Sequence, residues 1–385
     1  MNLLRATCSE TRRRGEREGA TVQSTLQGEP GQAGAATGEL PRYDVAVIGG
    51  GPAGLYATFY AGLRGMKAVL VEAAGQLGGQ PALVYPEKWI YDVAGFPRIR
   101  GRELAAALVE QAMRFDPDVR LGVRAEGLED AGEGFYRLTL ADGSALLTRG
   151  VIVAAGLGAF EPKRLPAPGL DRWEGRGLTY GVQRLDDLRG KRVVIVGGGD
   201  AAVDWALMAG EVAASVTLVH RRRQVSALEE SVRALQESPV RLELAAEVVG
   251  AEGGDVLERV HILDKETGQT RVLECDVLVP CLGFKADLGP LARWGFTVEG
   301  GEIVVEPGGA TSLPRVYAVG DVARYPGKIK LITVGFAEAA VAVSHLKRQL
   351  DPGASLQPVH SSEMPGGATA GGTPAGRRAP GAVAG

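Results

Sequence analysis

The chain has 385 residues, 45% hydrophobic and 23% charged, with a formal net charge of −3. That length suits two domains of ordinary size plus tails, and the slightly acidic balance argues against a nucleic-acid partner. No run of 18 or more apolar residues marks a membrane span, and three cysteines are too few for a disulfide scaffold and suit the cytoplasm.

Residues 1–40 carry five arginines and five glutamates and no apolar core of a secretory signal, whereas a transit peptide is poor in acids. They read as a disordered extension, or as an extra stretch ahead of the true start. A strand–turn–helix–strand unit follows over residues 43–73. Its apolar run Val45-Ala46-Val47-Ile48 leads into Gly49-Gly50-Gly51-Pro52-Ala53-Gly54. In such a unit Gly49 makes the tight turn and Gly51 leaves room for a pyrophosphate. Gly54 lets the helix pack on the strand. Free N–H groups at the helix start, including that of Ala53, face the phosphates with the favourable end of the helix dipole. The next apolar run ends at Glu72, 23 positions after Gly49. A carboxylate there accepts hydrogen bonds from a ribose diol; the plainer alternative is an ordinary strand-end acid.

A Gly/Pro/aromatic stretch over 75–97 is too long to be an idle connection. A helix is predicted over 101–115. Strands are predicted over 120–125, over the pair 135–140 and 145–148 across Asp142-Gly143, and over 151–155. A second nucleotide unit begins near residue 191. Val193-Val194-Ile195-Val196 enters Gly197-Gly198-Gly199-Asp200-Ala201-Ala202, where Gly197 and Gly199 repeat the roles above and Ala202 is the small packing residue. His220-Arg221-Arg222-Arg223 begins 23 positions after Gly197. A basic cluster there binds a 2′-phosphate; a solvated basic turn is the plainer alternative. Segments 241–249, 256–264 and 270–279 read as β-rich, 316–321 as a strand ending in Gly-Asp, and 335–350 as a helix. Asp321 suits either a ribityl hydroxyl or a plain helix cap. The Gly/Pro/Ala-rich end, 364–385, reads as disordered.

Two matched units that differ in the residue choosing the nucleotide point to FAD plus NADPH. The fold class expected is α/β, with two Rossmann-like dinucleotide-binding domains and the NADPH domain inserted into the FAD domain. The FAD part would span 41–157 and 286–363 and the NADPH part 158–285, crossing near 156–160 and 283–285.

These motifs, with Gly78-Gly79-Gln80, Val153-Ala154-Ala155-Gly156 and Ala318-Val319-Gly320-Asp321, resemble the low-molecular-weight thioredoxin reductase superfamily over about residues 42–363. Its thioredoxin reductases carry a C-x-x-C dithiol just before the second turn. Here that segment is Tyr180-Gly181-Val182-Gln183-Arg184. Cys8 lies in the tail. Cys275 and Cys281 would stand about 20 Å apart in a continuous strand, against a limit of about 7 Å for a disulfide. Without the dithiol the chain resembles the thioredoxin-reductase-like ferredoxin–NADP⁺ reductases, notably in segments 83–97 and 356–362.

The resemblance implies hydride transfer from NADPH to flavin N5 and onward transfer to ferredoxin or flavodoxin, in a homodimer. It implies that Tyr85 and His360, the catalytic positions, flank the isoalloxazine; each could instead be idle, as a packed aromatic and a solvated histidine. At least one ring must move to admit the nicotinamide, which predicts a mobile C-terminal segment. Flavin contacts are implied at Gln80, Ala125, Phe160, Asp321 and Ser362, and Ala125 offers only backbone polar groups. One departure is Ser226, where the family has a further arginine. Arg324, Lys328 and Lys330 are candidates for docking an acidic carrier. A flavin oxidase, a disulfide-reductase-like enzyme and a non-catalytic flavin redox sensor are the competing readings. No Cys/His cluster suggests a metal.

Overall fold

The computed structural model describes residues 39–156, 158, 161–285 and 287–357. The first unit forms as β1 (Arg42–Ile48), α1 (Pro52–Leu63) and β2 (Ala68–Glu72). Val45, Ala46 and Val47 are fully buried, as expected for a central parallel strand covered on both faces. β2 pairs on its far side with β3 (Asp118–Leu121). The sheet continues through β4 (Ala125–Gly132), β5 (Phe135–Leu140) and β6 (Ala145–Val153), in the order β3-β2-β1-β6-β5-β4.

The second sheet is wholly parallel. It contains β7 (Arg192–Val196), β8 (Ser215–His220), β9 (Arg241–Leu244) and, after the intervening strands, Val277–Pro280. Between β9 and that last strand lies an antiparallel meander of β10 (Ala246–Gly253), β11 (Leu257–Asp264) and β12 (Thr270–Glu274). With β13 as Val277–Pro280, the order is β9-β8-β7-β13. This repeats the order β3-β2-β1-β6 of the first sheet. The chain then returns: β14 (Val316–Ala318) pairs in parallel with Val151–Val153 of β6. One Rossmann-like unit is thus inserted within the other, as the sequence predicts. The two crossings run side by side, because Glu161–Pro162 pairs antiparallel with Phe284–Lys285.

Several predicted strands break where the backbone turns left-handed. Segment 120–125 divides at Gly122, φ +67°, and 241–249 divides at Ala245, φ +50°. Segment 270–279 divides at Cys275 and Asp276. There the Asp276 carboxylate accepts from the backbone N–H of Arg192 at 2.8 Å and pairs with its guanidinium, locking the edge of β7. Conversely, 145–148 and 151–155 merge into the single strand β6. The long 75–97 stretch contains a short helix, α2 (Gly79–Leu83), and a two-residue ladder between Trp89–Ile90 and Ile99–Arg100. It is followed by α3 (Gly101–Met113). In the inserted unit α4 (Asp200–Gly210) follows the glycine turn, and α5 (Glu229–Glu237) is an element the sequence reading lacks. The last helix, α6 (Ile332–Leu350), starts a turn earlier than 335.

Candidate functional site

A cavity of about 1390 Å³ opens at the carboxyl ends of β1, β2 and β6. Gly49, Gly51, Ala53, Glu72, Gln80, Tyr85, Ala125 and Asp321 all line it. Open α/β sheets hold ligands in this crevice. Gly54 lies beneath the wall, where it is buried.

Each glycine of the first turn has a distinct steric reason. Gly49 has φ +108°, and a Cβ there would stand 2.5 Å from the Ala154 carbonyl oxygen. A Cβ at Gly54 would stand 1.8 Å from the Gly49 carbonyl oxygen. At Gly51 the nearest atom would be the Gly79 Cα at 3.8 Å, so that position is open toward the cavity. Glu72 is held by two backbone donors, Gly50 N–H at 2.5 Å and Ala74 N–H at 2.7 Å. Burial pushes its carboxyl pKa up, against the pull of those N–H groups.

Tyr85 is placed by the start of α3. Gly101 packs so closely on the segment that a Cβ there would stand 2.4 Å from the Tyr85 carbonyl oxygen. Just beyond, the buried Glu87 is shared by the guanidinium groups of Arg100 and Arg102, which pins the loop. Burial raises the Tyr85 phenol well above its ordinary value, so the ring stays neutral.

Asp321 approaches from the opposite wall. Gly320 before it has φ +74°, and its Cβ would stand 3.1 Å from the Ala53 Cβ. Burial raises the Asp321 carboxyl, while Lys330 and Lys328 pull it down. Behind the turn, Glu338 of α6 accepts from Gly320 N–H at 2.7 Å and from the Tyr325 hydroxyl at 2.5 Å, and it pairs with Lys328. The side chains of Lys328 and Glu338 are only 8% and 14% exposed.

This changes the reading of the three candidate docking cations. Lys328 is buried against Glu338, Lys330 pairs with Glu302, and Arg324 pairs with Glu299 and Glu302. Each positive charge is already neutralised, so they form no basic docking face.

The glycines of the second turn do not line the cavity. Gly197 is closed, since a Cβ would stand 2.6 Å from the Cys281 carbonyl oxygen and 2.8 Å from the Ala202 Cβ. Ala202 is buried and Gly199 is open, with nothing within 4 Å of a Cβ. The His220 ring lies over Gly198. Its pKa is lowered by burial and then by Arg222 and Arg221, and its Nε2 is buried without a hydrogen-bond partner among the described residues. Arg221 and Arg222 are exposed and hold no salt bridge among the described residues. Arg223 instead pairs with Glu266 at 2.5 Å. Ser226 donates its backbone N–H to the Gly198 carbonyl at 2.5 Å, so the segment folds back over the turn.

The two units also touch. Lys88 pairs with Asp204 of α4, and the Gln183 amide donates to the Leu83 carbonyl at 2.8 Å. Asp200, Leu207 and Leu228 thereby line the outer part of the cavity. Arg64 at the end of α1 donates to the Ser355 and Leu356 carbonyls at 2.5 and 3.0 Å, anchoring the chain as it leaves α6. Phe160, His360 and Ser362 lie outside the described residues.

Sequence reasoning did not find Glu338, Lys88, Asp204 or the cavity wall at Leu288–Leu291. The Gly-Pro pair at 289–290 and the lone acid in apolar α6 were the available signals.

Residues 43–343 match the pyridine nucleotide-disulphide oxidoreductase family. A ferredoxin–NADP reductase of Sulfurisphaera tokodaii is 47% identical over 328 residues, 84% of this chain and 98% of that relative. One from Thermus thermophilus is 45% identical over 324 residues, 83% of this chain and 96% of the relative. The chain belongs to the ferredoxin–NADP reductases of the pyridine nucleotide-disulphide oxidoreductase family. The crystal structure of T. acidophilum thioredoxin reductase superposes with a TM-score of 0.71 at 25% identity, covering 80% of this chain and 99% of that one.

Within this reductase fold the absence of cysteine at 180–184 is structural fact. Tyr180 carries Arg164 over its ring, and Gln183 holds the Leu83 carbonyl. Cys275 and Cys281 are free, and burial pushes each thiol up to about 12. Neither is a thiolate at neutral pH.

Proposed function

We propose that this reductase holds FAD in the large cavity, takes NADPH on the second turn and passes electrons to ferredoxin or flavodoxin. The observation that carries the reading is the contrast of the two turns: the glycines of one line the cavity beside a carboxylate, and the other leads to two exposed arginines without an ion pair among the described residues. The cavity suits FAD. Its volume, the open space at Gly51, the strand-end carboxylate and the neutral ring of Tyr85 match a dinucleotide flavin. The chemistry FAD supplies when bound is acceptance of a hydride at N5 and release of electrons one at a time.

The protein's part is binding and orientation. Gly49 and Gly54 shape the first turn, and the N–H groups of Gly51 and Ala53 face the pyrophosphate with the positive end of α1. Glu72 accepts from the adenosine ribose with the lone pairs its two backbone donors leave free. Gln80, Ala125 and Asp321, which line the cavity, would contact the flavin end together with Phe160 and Ser362. Tyr85 and His360 would cover the flavin ring, and a phenol held neutral would serve as surface rather than base. Gly197, Gly199 and Ala202 shape the NADPH turn, and His220, Arg221 and Arg222 take the 2′-phosphate. The domain limits 41–157 with 286–363 for FAD, and 158–285 for NADPH, follow from this assignment. A cytoplasmic homodimer completes the reading.

The deciding experiment is NADPH-driven cytochrome c reduction by the purified yellow protein, with and without added ferredoxin. A large ferredoxin-dependent rise is expected. Fast dye reduction without that rise would keep the FAD–NADPH core and refute the carrier. Truncation after Leu356 tests His360: turnover should change, and unchanged kinetics would remove its role.

A further inference from the structure

We infer that Glu338 is a positioning residue whose charge, by pairing with Lys328 behind the Gly320–Asp321 turn, sets the electrostatic potential at the flavin side of the cavity. The inference rests on the placement of FAD above. Its basis is geometric. Oε2 of Glu338 holds Gly320 N–H at 2.7 Å, immediately before the cavity-lining Asp321. Oε1 gathers the Tyr325 hydroxyl and the Lys328 ammonium. Those two residues begin the segment that runs through Lys330, Leu331 and Ile332, all on the cavity wall. One carboxylate therefore ties together the two backbone segments that frame Asp321.

The pair lies in low dielectric. Two charges with 8% and 14% exposure are expensive to desolvate, and a pair of apolar side chains would commonly be as stable or more so. Removing one partner leaves the other uncompensated and its field poorly screened. Other titratable groups face the site: Lys330 paired with Glu302, and Asp321 itself. Glu338 and Lys328 cancel within this set only while both are charged. Unbalanced, Lys328 would stabilise the extra negative charge of the reduced flavin.

The test uses holoenzyme and the flavin midpoint potential at pH 6. Glu338→Gln keeps one acceptor oxygen for Gly320 N–H, turns a donating NH2 toward the Tyr325 oxygen and drops the charge, and its potential should move positive of the wild type. Glu338→Gln with Lys328→Met removes both charges at similar length and should return the potential toward the wild type. A merely structural role predicts loss of FAD or lower Tm in both variants with no reversal between them. An unchanged potential in Glu338→Gln, or no return in the double variant, overturns the inference. Should Glu338→Gln fail to fold, Lys328→Met alone reads the opposite imbalance, expected negative; no shift there overturns it too. Wild-type protein that purifies without FAD would instead refute the underlying cofactor reading.

Discussion

Around Gly49 and around Gly197 the chain follows the same strand–turn–helix–strand path, with neighbouring strands in the same order, yet only the first turn brings its glycines to the wall of the large cavity. At the first turn Glu72 is fixed by two backbone N–H groups and is partly buried. At the second, Arg221 and Arg222 stand in solvent. On the proposed assignment, identical topology would serve two kinds of binding. An enclosed, prearranged site suits a nucleotide that stays, because ordering costs are met in the fold. A site of exposed cations suits one that comes and goes.

The largest expected effect comes from adding one side chain to each turn. Gly54→Val places a Cβ 1.8 Å from the Gly49 carbonyl oxygen, and backbone cannot yield cheaply. Overpacking of this kind costs roughly 1–3 kcal/mol or more. The purified protein should lose its flavin absorbance. Gly199→Ala meets nothing within 4 Å, so flavin content and Tm should hold while NADPH binding weakens. Equal flavin loss in both would erase the difference between the turns.

The next effect isolates the phosphate. Charge-assisted hydrogen bonds contribute about 1.5–3 kcal/mol. Arg222→Ala should raise KM for NADPH roughly ten- to a hundredfold and leave NADH little changed. Equal losses with both nucleotides would refute the 2′-phosphate assignment.

How far these contrasts were legible in the sequence follows from range. The two turns, Glu72 and His220 were readable because each depends on a local pattern about two dozen residues long. The strand breaks at Gly122 and Ala245 were not, since a left-handed residue inside a β-rich run leaves no period of its own. Glycine signals such a break only by permission, and Ala245 does not signal it at all. The neutralised state of Arg324, Lys328 and Lys330 was also hidden. It depends on Glu299, Glu302 and Glu338, which the fold brings alongside. Three nearby cations read as a docking face until their partners are placed.

A third effect concerns the enclosed carboxylate. Glu72 has a raised native pKa, with burial the main cause. Between its ordinary value of 4.5 and the native value, the folded apo-protein binds more protons than the unfolded chain. Stability must fall as pH rises through that window, by about 1.4 kcal/mol for each pH unit it spans. Glu72→Gln should flatten this part of the apo-protein's pH profile and weaken FAD binding about tenfold, near 1.4 kcal/mol. Denaturant midpoints from pH 4 to 7 read the first effect and FAD titration of the apo-protein the second. An unchanged slope would mean that Glu72 is not strained by its burial.

The smallest effect belongs to His220 and carries the opposite sign. Its native pKa lies below 6.5, lowered by burial and then by the two arginines. Below 6.5 the unfolded chain therefore binds more protons than the native one, and stability is lost as pH falls through that window. A bound 2′-phosphate reverses the local field: a dianion beside the ring favours the imidazolium and gives the orphaned Nε2 a reason to carry a proton. NADP⁺ should raise the His220 pKa in an NMR titration, and NAD⁺ should leave it low. By linkage, NADP⁺ binding should then tighten as pH falls from the bound to the free pKa, a gain of a few-fold. The 2′-phosphate loses charge over the same range, with its second pKa near about 6, so the gain is read as wild type minus His220→Gln. A His220 titration that moves equally with both nucleotides would place the ring against the pyrophosphate instead. The second turn would then discriminate through Arg221 and Arg222 alone, and the contrast with the enclosed first turn would rest on those two exposed side chains.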